Sequence, residues 1–168
     1  MQTKYISTTE TAKIIRQELA KAFPGIKFSV KSKSYSGGSS IDVGWTDGPT
    51  PKMVEKITGQ FSGASFDAMI DLKSYRDSKW NGEAVHFGAD YIFTHRANTA
   101  EFLQQVADRT AKQWGVSVPV IEVDSFGYIL NYEMSNGRVG GGYFTLTELI
   151  MQDARKTLFH NGLRCIEK

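Results

Sequence analysis

The sequence is poor in the residues that usually carry chemistry. Its 168 residues hold one cysteine, Cys165, which excludes an internal disulfide and any cysteine-built zinc cluster within the chain and points to a reducing compartment. There are three histidines, His86, His95 and His160. None stands three or four residues from another and none lies in an H-E-x-x-H run, so no metal is expected. No apolar run approaches the ~18 residues of a membrane span, and Met1 to Thr8 lack the apolar centre of a secretory signal. The expectation is a cytoplasmic protein that does not engage a membrane. No low-complexity linker or block of like charge divides the chain. With 20 Lys and Arg against 18 Asp and Glu, the net charge of +2 is too small to argue by itself for nucleic acid or an anionic surface.

What is present is enough for a core. Hydrophobic residues make up 40% and charged residues 23%, outside the balance of disordered chains. The length suits a single domain over 1–168, built of two sub-units of fold, 1–96 and 97–168. Ser7 and Glu10 have capping-box spacing ahead of Ala12, Ile15, Leu19 and Phe23, which predicts a helix from Thr8 to Phe23 closed by Pro24-Gly25. Phe28 and Val30 then alternate with Lys27, Ser29, Lys31 and Lys33. Ile41, Val43 and Trp45 alternate with Ser40, Asp42 and Gly44, and Tyr35 to Ser39 is turn chemistry, so a hairpin with a basic outer face is expected. Thr50-Pro51 opens a second helix through Met53, Ile57 and Phe61. The result is an N-terminal α-β-β-α unit in an α+β fold, with antiparallel sheets whose helices pack on one face.

Farther on, Phe66 to Leu72 suggests a short strand, and a polar stretch runs through Tyr75, Arg76, Lys79 and Trp80. Ala84 to Arg96 reads as a strand or strand pair. Asn98 or Thr99 caps a helix carrying Phe102, Leu103, Val106, Thr110 and Trp114, and Gly115 stops it. Val116 to Val123 is β-rich, Asn136-Gly137 signals a hairpin between Tyr128 and Phe144, and Thr145 to Glu148 opens a last helix that includes Leu158 and Phe159 and ends near Asn161-Gly162.

Catalytic groupings are sparse. His86 and His95 would meet if their segment folded back on itself, but ordinary polar strand positions are the simpler reading, and His160 suits a helix C-terminus. Cys165 could act as a nucleophile only if a histidine base and an orienting group reached it, and it is read instead as a packed or free thiol. No G-x-S-x-G occurs. Gly140 to Gly142 lacks the lysine and spacing of a phosphate loop. Asp67 with Asp71, and Asp42 with Asp47, are carboxylate pairs whose convergence spacing cannot establish, and Asp47 is better placed to shape its own turn. No catalytic residue, metal or cofactor is expected. Charge is uneven, however: residues 1–60 carry nine Lys and Arg against five Asp and Glu, leaving +4, while the remainder, eleven against thirteen, is at −2.

The run Phe23-Pro24-Gly25-Ile26-Lys27-Phe28-Ser29-Val30, the stretch Lys31 to Val43 and the block Trp45-Thr46-Asp47-Gly48-Pro49-Thr50 resemble the large polyvalent protein-associated domains of phages and plasmids, the type with F-P-G-x-K-F-S-V and W-x-D-G-P blocks. The resemblance covers about residues 5–95. It implies a mobile-element protein and carries over no catalytic residue. It suggests a non-enzymatic inhibitor that binds a host defence complex, of anti-CRISPR or antirestriction type; the residues themselves point to the open face and rim of the hairpin as its interface, through Lys27, Lys31, Lys33, Tyr35, Trp45 and Asp47. The alternative is a nucleic-acid-binding accessory module using Lys27, Lys31, Lys33, Lys52 and Lys56. A plainer reading makes the strand lysines a solvated face that discourages edge-to-edge pairing.

Overall fold

A computed structural model describes residues 3–67, 72–75, 77–118, 120–130, 145–159 and 163–166, with 65–67, 72–75 and 163–166 described by backbone alone. The fold is α+β, and the chain divides into two compact units, Met1–Trp45 with Pro51–His95, and Thr46–Thr50 with Arg96–Lys168.

The first unit begins with strand β1, Lys4–Ile6, and helix α1, Thr8–Ala22. The helix starts where it does because Ser7 and Glu10 satisfy each other's backbone: the Glu10 N–H donates to Ser7 Oγ at 3.3 Å and the Ser7 N–H donates to the Glu10 carboxylate at 3.0 Å. Two otherwise unpaired donors are thereby bonded. The hairpin follows as β2, Ser29–Tyr35, and β3, Gly38–Thr46, and then α2, Pro51–Thr58, continues as one 3₁₀ turn to Phe61. Short strands β4, Ala64–Asp67, and β5, Leu72–Tyr75, pair antiparallel. The polar stretch expected near Lys79 is itself a strand, β6, Ser78–Trp80, and Ala84 to Arg96 resolves into β7, Glu83–Phe87, and β8, Tyr91–Ala97.

Two three-stranded sheets result, ordered β1-β7-β6 and β2-β3-β8. The first is mixed, because β1 lies parallel to β7 while β6 lies antiparallel to it. That parallel pair departs from the all-antiparallel expectation. The core joins Ile15 and Leu19 of α1 and Val54 of α2 to Ile41, Val43, Phe61 and Phe87. Phe61 is fully buried and meets Trp80 and Phe87 edge-on, with ring centroids at 5.1 and 5.3 Å. Edge-to-face pairs add about 1 kcal/mol beyond the area they bury.

In the second unit α3, Ala100–Trp114, is capped by the Thr99 hydroxyl and stopped by Gly115 at φ 67°, a left-handed position open to glycine at no steric cost. Helix α4, Leu146–Lys156, carries a second capping box, Thr145 with Glu148. Phe102, Leu103 and Val106 pack with Leu146, Ile150 and Ala154. Two expectations are corrected. The described residues of Val116 to Val123 form no strand beyond the single bridge of Val123 to Ile129. Pro119 lacks a donor for a ladder, and the Ile121 N–H donates to the Gln104 side chain at 2.6 Å. The last helix ends at Lys156, and Leu158 and Phe159 belong to β9, Thr157–Phe159, which pairs antiparallel with β10, Leu163–Ile166. The expected hairpin around Asn136-Gly137, the Gly140 to Gly142 run and His160 lie outside the described residues.

Candidate functional site

Register decides what each face of the β2-β3-β8 sheet carries. Directly opposed residues of an antiparallel pair share a face, so Val30 and Val43 lie on one side, while Lys31 with Asp42, Lys33 with Ser40 and Tyr35 with Gly38 lie on the other. The first side is the buried one, where Val30, Val43 and Trp45 join the core with Ile15, Leu19 and Val54. On β8 the same alternation packs Ile92 on that core and lets the Thr94 hydroxyl donate to Glu55 of α2 at 3.0 Å. Tyr91, Phe93 and His95 therefore stand on the outer side with the lysines. His95 Nε2 lies 3.6 Å from the Asp42 carboxylate, which ties β8 and β3 into one outer surface.

That surface has a basic rim, a low floor and an aromatic rim. Lys31, Lys33 and Tyr35 are exposed along the edge strand β2, and Lys27 is exposed two residues before it. The central strand offers Gly38, Ser40 and Gly44, with Asp42 as its one carboxylate. On β8 the Tyr91 and Phe93 rings lie nearly parallel, 20° apart in plane with centroids at 6.3 Å. Phe93 is 48% exposed and Tyr35 47%. The Tyr35 ring lies down over Gly38, where an added Cβ would come within 3.2 Å of it and 2.8 Å of Asp90 Oδ2. The same Asp90 oxygen accepts the Ser39 N–H at 2.9 Å. Glycine at 38 thus keeps both the ring and the carboxylate in place.

The expected site residues do not all meet here. Lys27, Lys31, Lys33 and Tyr35 are exposed as a partner surface requires, but Trp45 and Asp47 are buried, at 4% and 8% exposure. Trp45 faces the core beside Phe28, with ring centroids at 5.7 Å, so neither it nor Asp47 presents a side chain to a partner. Lys52 and Lys56 are exposed on α2, across the sheet from Lys31 and Lys33. Sequence reading left Tyr91, Phe93 and His95 out of the candidate set. Their period-two alternation with Ile92 was the available signal, but nothing local placed β8 beside β3.

Asp47 does other work within the second unit. With φ at 53° it turns its carboxylate onto Thr99, accepting from the backbone N–H and from the hydroxyl, both at 2.8 Å, while the Thr99 hydroxyl accepts the Phe102 N–H at 3.2 Å. The loop carbonyls are held by Arg96: Nε donates to Asp47 O at 3.0 Å and Nη2 to Gly48 O at 3.2 Å. Arg96 Nη1 reaches Ala154 O and Thr157 O, each at 3.0 Å, and the guanidinium lies 4.7 Å from the Phe102 ring centroid. One fork thus bonds the loop and two carbonyls at the end of α4, adding to the Thr157 N–H that Ala154 O already accepts. Burial pushes Arg96 down to about 10, with Asp47 opposing that shift, so it stays charged at neutral pH.

The histidines have separate partners. His86 Nδ1 lies 3.5 Å from Asp77 and its ring stacks on Tyr5, while His95 sits in the other sheet beside Asp42. Among the described residues no three His, Cys, Asp or Glu side chains gather as a metal site, and no helix is long and apolar enough to cross a membrane. Two hollows lie in the first unit. One, of about 350 Å³, is lined by Gln60, Ser62, Asp77, Lys79 and Trp80; the other, of about 300 Å³, by Lys4, Tyr5, Glu10, Asn81 and Glu83.

A search of curated proteins returned no match, and neither did a search of solved structures. The family model of large polyvalent protein associated domain 29 matches residues 6–99, from the end of β1 to the cap of α3. That span takes in the whole outer sheet face and both partners of the Asp47–Thr99 contact, and the chain belongs to the large polyvalent protein associated domain 29 family, an accessory domain of phage and plasmid proteins.

Proposed function

We propose that this chain is a non-enzymatic binding protein of a mobile genetic element, acting against a host defence complex such as a CRISPR effector or restriction enzyme by occupying a surface that the complex needs. The observation that carries the reading is the outer face of the β2-β3-β8 sheet. Helices α1 and α2 both lie on the inner side, and the outer side sets exposed lysines beside half-exposed rings. A surface of that kind attracts by charge and anchors by aromatic contact. The histidines and carboxylates described above form pairs rather than a nucleophile with its base and orienting group, which favours binding over catalysis.

The test is a plating assay. The chain is expressed in cells carrying an active restriction or CRISPR system and challenged with a sensitive phage. The expected result is a rise of about tenfold or more in plaques relative to an empty vector, with no change in cells lacking the defence. Equal plating in both strains across defence systems counts against the reading.

A further inference from the structure

We propose that the outer sheet face binds single-stranded nucleic acid, with bases laid on the Tyr91–Phe93 platform and phosphates drawn to Lys31 and Lys33. The proposal rests on the reading that this face is the working surface, and it goes beyond that reading by naming a single strand of nucleic acid as what the face touches.

Three observations converge. The Tyr91 and Phe93 rings are near-parallel neighbours on one strand, 20° apart in plane, with Phe93 half exposed, and an exposed ring face held so is a surface on which a base of any identity can stack. The ammonium groups are on β2, the other edge of the same sheet. With strands ~4.8 Å apart, the two rims stand about 10 Å from each other at backbone level. Between them the floor is low, because β3 places Gly38, a buried Ser40 and Gly44 on this side, with Asp42 between the last two. A strand of nucleic acid has the matching division, a charged backbone along one margin and flat apolar bases along the other. A duplex does not, since its base faces are covered by stacking. An acidic protein surface would suit the lysines but would leave the paired rings without a role. Asp42 and Asp90 are the opposing charges: Asp42 lies against His95 at 3.6 Å and opposite Lys31 in register, and Asp90 accepts the Ser39 N–H at 2.9 Å, so part of their field is met locally. Tyr35, on the basic rim, extends the platform toward the hairpin turn.

The experiment uses the full chain with a fluorescein-labelled oligothymidylate of about 12 nucleotides and a duplex of equal length, followed by fluorescence anisotropy. Single-strand binding should exceed duplex binding by about tenfold. Two phosphate contacts give a log–log salt slope of about −1.4, so affinity should fall about sevenfold between about 50 and about 200 mM salt. Phe93→Ala should weaken binding about fivefold or more, and Phe93→Tyr should restore it, because only the ring face is needed. Lys33→Gln should flatten the slope by about 0.7. Asp42→Asn should tighten binding. Circular dichroism melts accompany each variant, and the Phe93→Tyr rescue separates loss of stacking from loss of fold. Equal affinity for both probes, or loss in Phe93→Ala without rescue by tyrosine, overturns the proposal. If the oligonucleotide fails to bind while the chain still protects phage in the plating assay, the face takes a protein and only the nucleic-acid inference falls. If neither assay responds, the functional reading falls with it.

Discussion

At the level of single residues, the family's W-x-D-G-P block proves to be internal architecture. Asp47 was a plausible anchor by composition, since a carboxylate between tryptophan and glycine in a turn often meets solvent. Its turn role was legible, because Asp tolerates positive φ and bonds to nearby backbone. Its partner was not, because Thr99 is 52 residues away. The pairing sets a stability prediction. Asp47→Ala removes two hydrogen bonds to a charged acceptor and strains a residue at φ 53°, so it should cost about 2–4 kcal/mol. Asp47→Asn should cost less, because asparagine accepts one of the two bonds and suits the backbone. Urea unfolding of the full chain measures both. Arg96→Lys should be destabilising by about 2–3 kcal/mol in the same assay, since an ammonium cannot span four carbonyls in two segments as the planar fork does. An unchanged midpoint for Arg96→Lys would show that the fork geometry does not matter.

At the level of elements, what could be read was what is encoded within three or four residues. The boxes Ser7 with Glu10 and Thr145 with Glu148 placed two helix starts, and Thr99 and Gly115 bracketed a third. Strands of three residues such as Lys4–Ile6 carry no period and exist because β7 lies alongside. The end of α4 was read too late for a related reason. Leu158 and Phe159 fit a helical face, but Thr157 is extended and buried, and Arg96 reaches the terminal carbonyls from 58 residues away. The boxes also predict a pH dependence. Hydrogen bonds from Ser7 hold the Glu10 carboxyl below its ordinary 4.5, and those from Thr145 do the same for Glu148. A carboxyl depressed in the folded state contributes stability that is complete above its unfolded value and lost as pH falls through the folded one. The melting temperature of Glu10→Gln–Glu148→Gln should therefore fall less steeply than wild type below about pH 4.5. Parallel acid limbs would contradict this.

For the molecule as a whole, function is assigned to the side of a sheet opposite α1 and α2. The hairpin and its basic face followed from alternation alone, and the α+β class followed from element order. The aromatic half of the face needed β8 to come beside β3, a pairing between distant segments that no local pattern announces. The measurement that tests the account most directly is the plating assay with two charge-matched variants, Lys31→Glu–Lys33→Glu on the outer face and Lys13→Glu–Lys112→Glu on exposed helix positions. Both change net charge equally, so any general effect of charge cancels. The account predicts that the sheet variant loses protection by about tenfold or more while the helix variant keeps it, with both melting near wild type. Equal protection from the two variants, or loss confined to the helix variant, would contradict it.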